Sequence, residues 1–239
     1  MRRVYTASLG VLVLASVTAT TWIAIPTQAD LELESPLVAW NPTEALQEQY
    51  AQDLAPLTAG FTPQRYRSFC GPASVATIVQ AYDAVPVDQL EILPSLGDKI
   101  RTFYTGMSLA RLASLAESVG LSTQLIYADA ISVDAFRDQL AANMQRKGDF
   151  VLINYDRRAL NQAGAGHISA IGAYDPDRDA FLVLDEASFK YPFTWVPTEL
   201  LYAAARTKAG AHYRGVLIIR ERRALDGFSP NRSSRGSPE

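Results

Sequence analysis

The spacing of apolar positions divides the chain into stretches of different character. Residues 4–26 are a mostly apolar run with many small residues, placed behind Arg2 and Arg3. A helix is predicted from Thr43, with Glu44 in its first turn. The apolar run 73–82, opened by Pro72, predicts another that ends near Tyr82 and Asp83. Proline suits a first helical turn, where its missing N–H is not needed. Leucines recur at helical spacing after Ser108 until Gly120, and residues 132–145 repeat the pattern from Ser132 to just before Gly148. Residues 85–101 are poorly periodic and are left irregular or partly helical. Later the period shortens: residues 123–127, 150–155, 167–174, 180–184 and 213–220 read as strands, with a short helix over 197–206. A helical front and a mainly antiparallel back make an α+β fold of two layers.

The two ends do not belong to that pattern. A basic start, the apolar run and Thr27-Gln28-Ala29 have the order of a secretory signal peptide, residues 1–29, cleaved after Ala29. The alternative is an uncleaved membrane anchor, since the run is nearly long enough to span a bilayer. Either way the domain at 30–221 is expected outside the cytoplasm, periplasmic or extracellular, with membrane contact only if the segment stays attached. Residues 222–239 are polar with Gly, Ser and Pro, and read as a disordered tail. A net charge of −3 without a basic cluster gives no case for nucleic acid. A single cysteine excludes an internal disulfide, and no Cys/His cluster is present to hold structural zinc.

That one cysteine, Cys70, directly precedes Gly71-Pro72 and the predicted helix. The positive end of a helix dipole favours a thiolate, which is the nucleophilic form. Gln64, one loop upstream, could give an amide N–H to an oxyanion. A lone cysteine beside Phe and Gly is also commonly a small buried hydrophobe, so a base is needed. Only His167 and His212 exist. His212 lies in a polar connection and reads as structural or solvated. His167 opens a strand that turns through residues 175–179 and returns to Asp185. With the turn centred on Asp177, Asp185 is the diagonal same-face neighbour of His167, able to orient an imidazole. A one-residue change of register would put the two on opposite faces. Asp175, Asp177, Asp179 and Glu186 have the spacing of a calcium loop. Ala180 replaces the needed glycine and strands flank the loop, so a polar turn explains them.

With Cys70, His167 and Asp185 in that order, residues 57–219 resemble phytochelatin synthases, papain-like cysteine enzymes that use glutathione. The resemblance is carried by Gln64 with Ser68-Phe69-Cys70-Gly71-Pro72-Ala73-Ser74, Asn154-Tyr155-Asp156-Arg157, Gly166-His167-Ile168-Ser169, and Phe189-Lys190-Tyr191-Pro192 with Trp195-Val196-Pro197. It implies a papain-like fold, a helical lobe packed on an antiparallel sheet. It further implies a nucleophile at Cys70, a base at His167, an orienting carboxylate at Asp185 and an oxyanion donor at Gln64. Arg157, Gly166 and Tyr191 would bind substrate, with Arg157 facing a substrate carboxylate. The implied chemistry is attack on the Cys–Gly bond of glutathione, release of glycine and transfer of γ-glutamylcysteine to a second glutathione or to water. No cofactor is implied as tightly bound. Cadmium or zinc, carried as a glutathione thiolate, would promote transfer, and a homodimer is compatible. Ser188, where the family generally has Arg, and Pro63, where it often has Thr, depart from the pattern. So does the region between the nucleophile helix and Gly106, which is shorter than the family pattern, and no Cys-rich extension is expected. Two other readings stay open: a papain-like peptidase or amidase on ordinary peptides, and a metal–thiol peptide binder without turnover.

Overall fold

The structure, a computed structural model, describes residues 32–222. The expected leader, and all but the first residue of the expected tail, lie outside the described residues. Six α-helices are described: α1 (Leu54–Ala59), α2 (Cys70–Asp83), α3 (Leu96–Thr105), α4 (Leu109–Ser118), α5 (Val133–Met144) and α6 (Thr198–Ala205). The main sheet is antiparallel throughout. It comprises β1 (Val38–Ala39), β2 (Leu121–Tyr127), β3 (Phe150–Asp156), β4 (Gly166–Asp175), β5 (Ala180–Leu184), β6 (Thr194–Pro197) and β9 (Gly215–Arg222), in the order β1-β6-β5-β4-β3-β9-β2. β7 (Lys208–Ala209) and β8 (His212–Tyr213) form a separate hairpin. Among the described residues, no helix is long and apolar enough to cross a membrane.

The two-layer expectation is corrected to three. Every residue of β3 is buried, because its alternate side chains enter different cores. Leu152, Ile168, Leu182 and Leu217 pack with α1, α2 and α4, whereas Val151, Ile153, Val183 and Ile218 pack with α5 and α6. The strands are apolar on both sides, so both faces need a helical cover.

Local chemistry sets most boundaries. Ser95, Ser108 and Ser132 cap α3, α4 and α5, each accepting from a backbone N–H three residues on. Gly106 and Gly120 follow α3 and α4 at positive φ, which only glycine adopts without strain. The helix expected from Thr43 is absent. Asn41 Oδ1 instead accepts from both the Thr43 N–H and its hydroxyl, a local turn that competes with helix. Glu44 turns to Trp195 and Arg178 on distant segments. The weakly periodic stretch resolves into a loop followed by α3.

α2 is the centre of the molecule. Every residue from Cys70 to Val79 is buried, so it is a core helix enclosed on all sides, with Ser74 and Thr77 the polar exceptions. It lies against β4 on one face of the sheet, and its first turn points into a cavity at the ends of β3 and β4.

Candidate active site

The cavity measures about 500 Å³, with Cys70 and His167 both on its wall. Cys70 is the first residue of α2, and Pro72 sits in the same turn. The backbone N–H of Ile168, the residue after His167, faces the Cys70 sulfur, as does that of Gly71. Burial outweighs both and pushes the thiol up to about 11. The thiolate expected from the helix end alone is therefore not the resting form at neutral pH, because desolvation of a buried charge exceeds the pull of one helix terminus.

His167 Nε2 lies 2.8 Å from Asp185 Oδ1. With Nε2 donating to the carboxylate, Nδ1 is the nitrogen left with a lone pair. Tyr155, directly opposite on β3, sets its ring edge-on to the imidazole at 5.7 Å. Burial, reinforced by the Arg157 charge, lowers His167 below its ordinary value against the pull of Asp185. Nucleophile and base thus both rest neutral.

A bulge decides whether Asp185 reaches that imidazole. At the hairpin tip, Asp175 pairs with Ala180 and Tyr174 with Phe181. Past Gly172 the register slips by one residue, so Ile171 pairs with Val183 and Ala170 with Leu184. The slip carries Asp185 onto the face of His167; without it, the carboxylate would project from the other side. Gly172 permits it by closeness: a Cβ there would stand 2.8 Å from Leu54 Cδ1 and 3.1 Å from Leu184 Cδ2.

Asp185 is bound on every side. Arg157 Nη2 donates to it at 2.6–2.7 Å and the Ala187 N–H at 2.8 Å, besides His167. Burial would raise its carboxyl, but His167 and the Arg157 charge, both hydrogen-bonded to it, outweigh that and hold it well below the usual carboxylate range. Arg157 therefore differs from its sequence-based role. Its guanidinium is buried, engaged by Asp185 and by Gln162 Oε1 at 2.9 Å, and stacked on the Tyr191 ring at 5.1 Å. A fork so committed orients the carboxylate and is not open to a substrate. Tyr191 is likewise corrected: it lies beneath Arg157, away from the cavity wall, and its hydroxyl accepts the Ala163 N–H at 2.7 Å. Gln64 lines the cavity, but its Nε2 donates to the carbonyls of Tyr66 and Arg67 at 3.0 and 3.1 Å. An oxyanion would have to compete with these carbonyls for it.

Gly166 lies on the wall for a reason the sequence hid. The Arg214 guanidinium passes over it so closely that a Cβ would stand 2.8 Å from Nη2. Arg214 is buried, 3.7 Å from Asp156, with Nε unpartnered. With Arg67 and Lys190, and beside the committed Arg157, it lines a wall that includes no carboxylate. Arg214 escaped the sequence reading because an arginine at the mouth of an apolar strand looks like a solvated edge residue. Lys190 lies inside the Phe189-Lys190-Tyr191-Pro192 motif, where nothing local marks it as a cation of the cavity. Among the described residues, no group of three or more His, Cys, Asp or Glu is placed to hold a metal.

A family model for phytochelatin synthase matches residues 31–215. Glutathione gamma-glutamylcysteinyltransferase 2 of Arabidopsis thaliana is 29% identical over 193 residues, covering 74% of this chain and 41% of the relative. Glutathione gamma-glutamylcysteinyltransferase 1 of Lotus japonicus is 32% identical over 193 residues, covering 74% and 37%. The Schizosaccharomyces pombe enzyme of the same name is 28% identical over 189 residues, covering 73% and 45%. The chain thus spans less than half the length of these curated relatives. A match of that extent, on an α+β molecule whose core helix and antiparallel sheet are arranged in the papain-like manner, makes this chain a member of the phytochelatin synthase family.

Proposed function

We propose that the chain is a cysteine acyltransferase and hydrolase acting on glutathione. The observation that carries the reading is a cavity with a thiol at a helix tip, an imidazole–carboxylate pair and cationic walls without a carboxylate. Glutathione offers a scissile amide flanked by two carboxylates, and guanidinium and ammonium groups are the complement of that charge. Arg214 is the group we assign to one carboxylate.

Cys70 Sγ attacks the carbonyl carbon of the Cys–Gly bond while its proton passes to His167 Nδ1. Asp185, fixed as an anion by Arg157, stabilises the imidazolium that results. Collapse of the tetrahedral intermediate breaks the C–N bond, and His167 returns the proton to the departing glycine amine. The γ-glutamylcysteinyl thioester on Cys70 then passes to an acceptor amine or to water, with His167 taking the acceptor's proton. Since thiol and imidazole rest neutral, proton transfer accompanies attack.

Hydrolysis is expected to exceed transfer. Ser188 is exposed and supplies no cation for a second peptide. Thiol-bound cadmium or zinc would enter as part of the substrate. Export belongs to the same reading, motivated by the apolar run at 4–26, as does a homodimer; cell fractionation and light scattering test these. Mass spectrometry of glutathione incubations should show glycine release that Cys70→Ala abolishes, and a γ-glutamylcysteinyl adduct on Cys70 after brief exposure. Equal release by the variant would reject the assignment. Cleavage of ordinary peptides with no action on glutathione would favour a peptidase.

A further inference from the structure

Asp185 and Glu186 are adjacent and both buried, yet their surroundings differ. Asp185 is surrounded by donors and is an anion. Glu186 is 0% exposed; its Oε1 accepts the Ala170 N–H at 3.3 Å and its Oε2 has no partner. The register that turns Asp185 toward His167 turns Glu186 to the opposite face, where α2 lies. Ser74 of α2 and Ser169 of β4 lie near it, and the Ser169 Oγ is also unpartnered. Ser74 uses its own hydrogen on the Cys70 carbonyl at 2.8 Å, and its Oγ also lies 3.3 Å from the Ile168 carbonyl. The Glu186 backbone carbonyl accepts the Gln64 N–H at 2.8 Å. One residue thus touches the nucleophile helix, the strand of the base and the loop before Cys70.

The ionisable groups facing Glu186 are Asp185 on its own segment, Tyr155 on β3 and Cys70 on α2. Each is negative when ionised, and the Arg157 cation in the same region is committed to Asp185. A carboxylate there would add a second anion to a site with one weak donor. A carboxylic acid has a hydrogen for Oε2 to donate, and the Ser74 and Ser169 oxygens are acceptors. Burial and the neighbouring Asp185 charge both favour the neutral form.

We propose that Glu186 is a positioning residue for the Cys70 chemistry: as the protonated acid it ties Ser74 on α2 to β4 and so holds the nucleophile's turn against the strand that carries His167. This rests on Cys70 being the nucleophile. A charge on Glu186 would stand behind the sulfur and oppose its ionisation, so the neutral acid also spares the thiol a second anion.

Cys70 is the single cysteine, so iodoacetamide alkylation of the full chain, followed by intact mass from pH 6 to 10, reports it alone. Glu186→Gln retains a neutral donor and acceptor of the same shape. It should match the parent within about twofold at pH 6–7, where an ionised Glu186 would instead leave the parent about tenfold slower, the effect of one nearby unit charge. Glu186→Val lacks the donor and should release glycine from glutathione at least about tenfold more slowly at pH 7 with KM held, a loss that Glu186→Gln does not share. A Glu186→Gln variant alkylated about tenfold faster than the parent already at pH 6–7 would overturn the proposal, as would undiminished turnover by Glu186→Val. If the valine variant fails to fold, the glutamine comparison decides alone. Alkylation needs no peptide, so failure of the glutathione reading would appear separately, as absent glycine release with the alkylation parity intact.

Discussion

Replacing Arg157 by Met keeps the aliphatic stem and removes the fork that holds Asp185. The structure gives the size of the effect: both partners are about 3% exposed, and the contact is 2.6 Å. Removing one member of a buried, hydrogen-bonded ion pair strands the other charge and costs about 3–5 kcal/mol. At about 2–4 °C per kcal/mol for a domain of this size, the melting temperature should fall by about 10 °C at pH 7. The sign of the pH dependence follows from the depressed Asp185 carboxyl. Its stabilising contribution is complete above the unfolded carboxylate value near 4 and is lost as pH falls toward the depressed folded value, so the gap between parent and variant should narrow in acid. Circular dichroism melts between pH 3 and 7 measure this. The double variant Arg157→Met/Asp185→Asn leaves no charge stranded and should recover at least about 1 kcal/mol relative to additive losses. Glycine release by Arg157→Met should fall through kcat more than KM, since the residue acts through Asp185. A melting temperature within about 1 °C of the parent, or a KM effect with unchanged kcat, would refute the reasoning and return Arg157 to the substrate.

The Arg214 assignment is tested by Gly166→Ala, whose methyl would occupy the space of the guanidinium. The KM for glutathione should rise at least about tenfold, the value of a charge-assisted hydrogen bond, with kcat largely kept. Gly172→Ala forces Leu54 and Leu184 away from the bulge; a loss of about 1–3 kcal/mol in denaturant titrations is expected, with a lower kcat because Asp185 depends on that register. His167, lowered by burial, binds its proton more weakly folded than unfolded. Stability is therefore full above about pH 6.5 and declines as pH falls through the lowered folded value, and His167→Gln should flatten that decline in melts from pH 5 to 7.

The sequence determined what is local in origin. Serine caps, glycines at positive φ and the apolar period fixed α4, α5, the core helix behind Cys70 and the inner strands, because such signals act within a few residues. The order of Cys70, His167 and Asp185, with their flanking motifs, was also legible in the chain itself. Tertiary structure decided the rest. The helix expected from Thr43 gave way because Glu44 is drawn to residues more than a hundred positions away. The third layer arose because strands apolar on both sides must bury both. Asp185 faces His167 only through a one-residue slip at Gly172, a packing choice made against Leu54. Arg157 changed from substrate ligand to support, and Arg214 entered the site, because burial and charge partners belong to neighbours in space. For the same reason a helix end proposes a thiolate, while the depth at which the fold sets the sulfur returns it to a thiol.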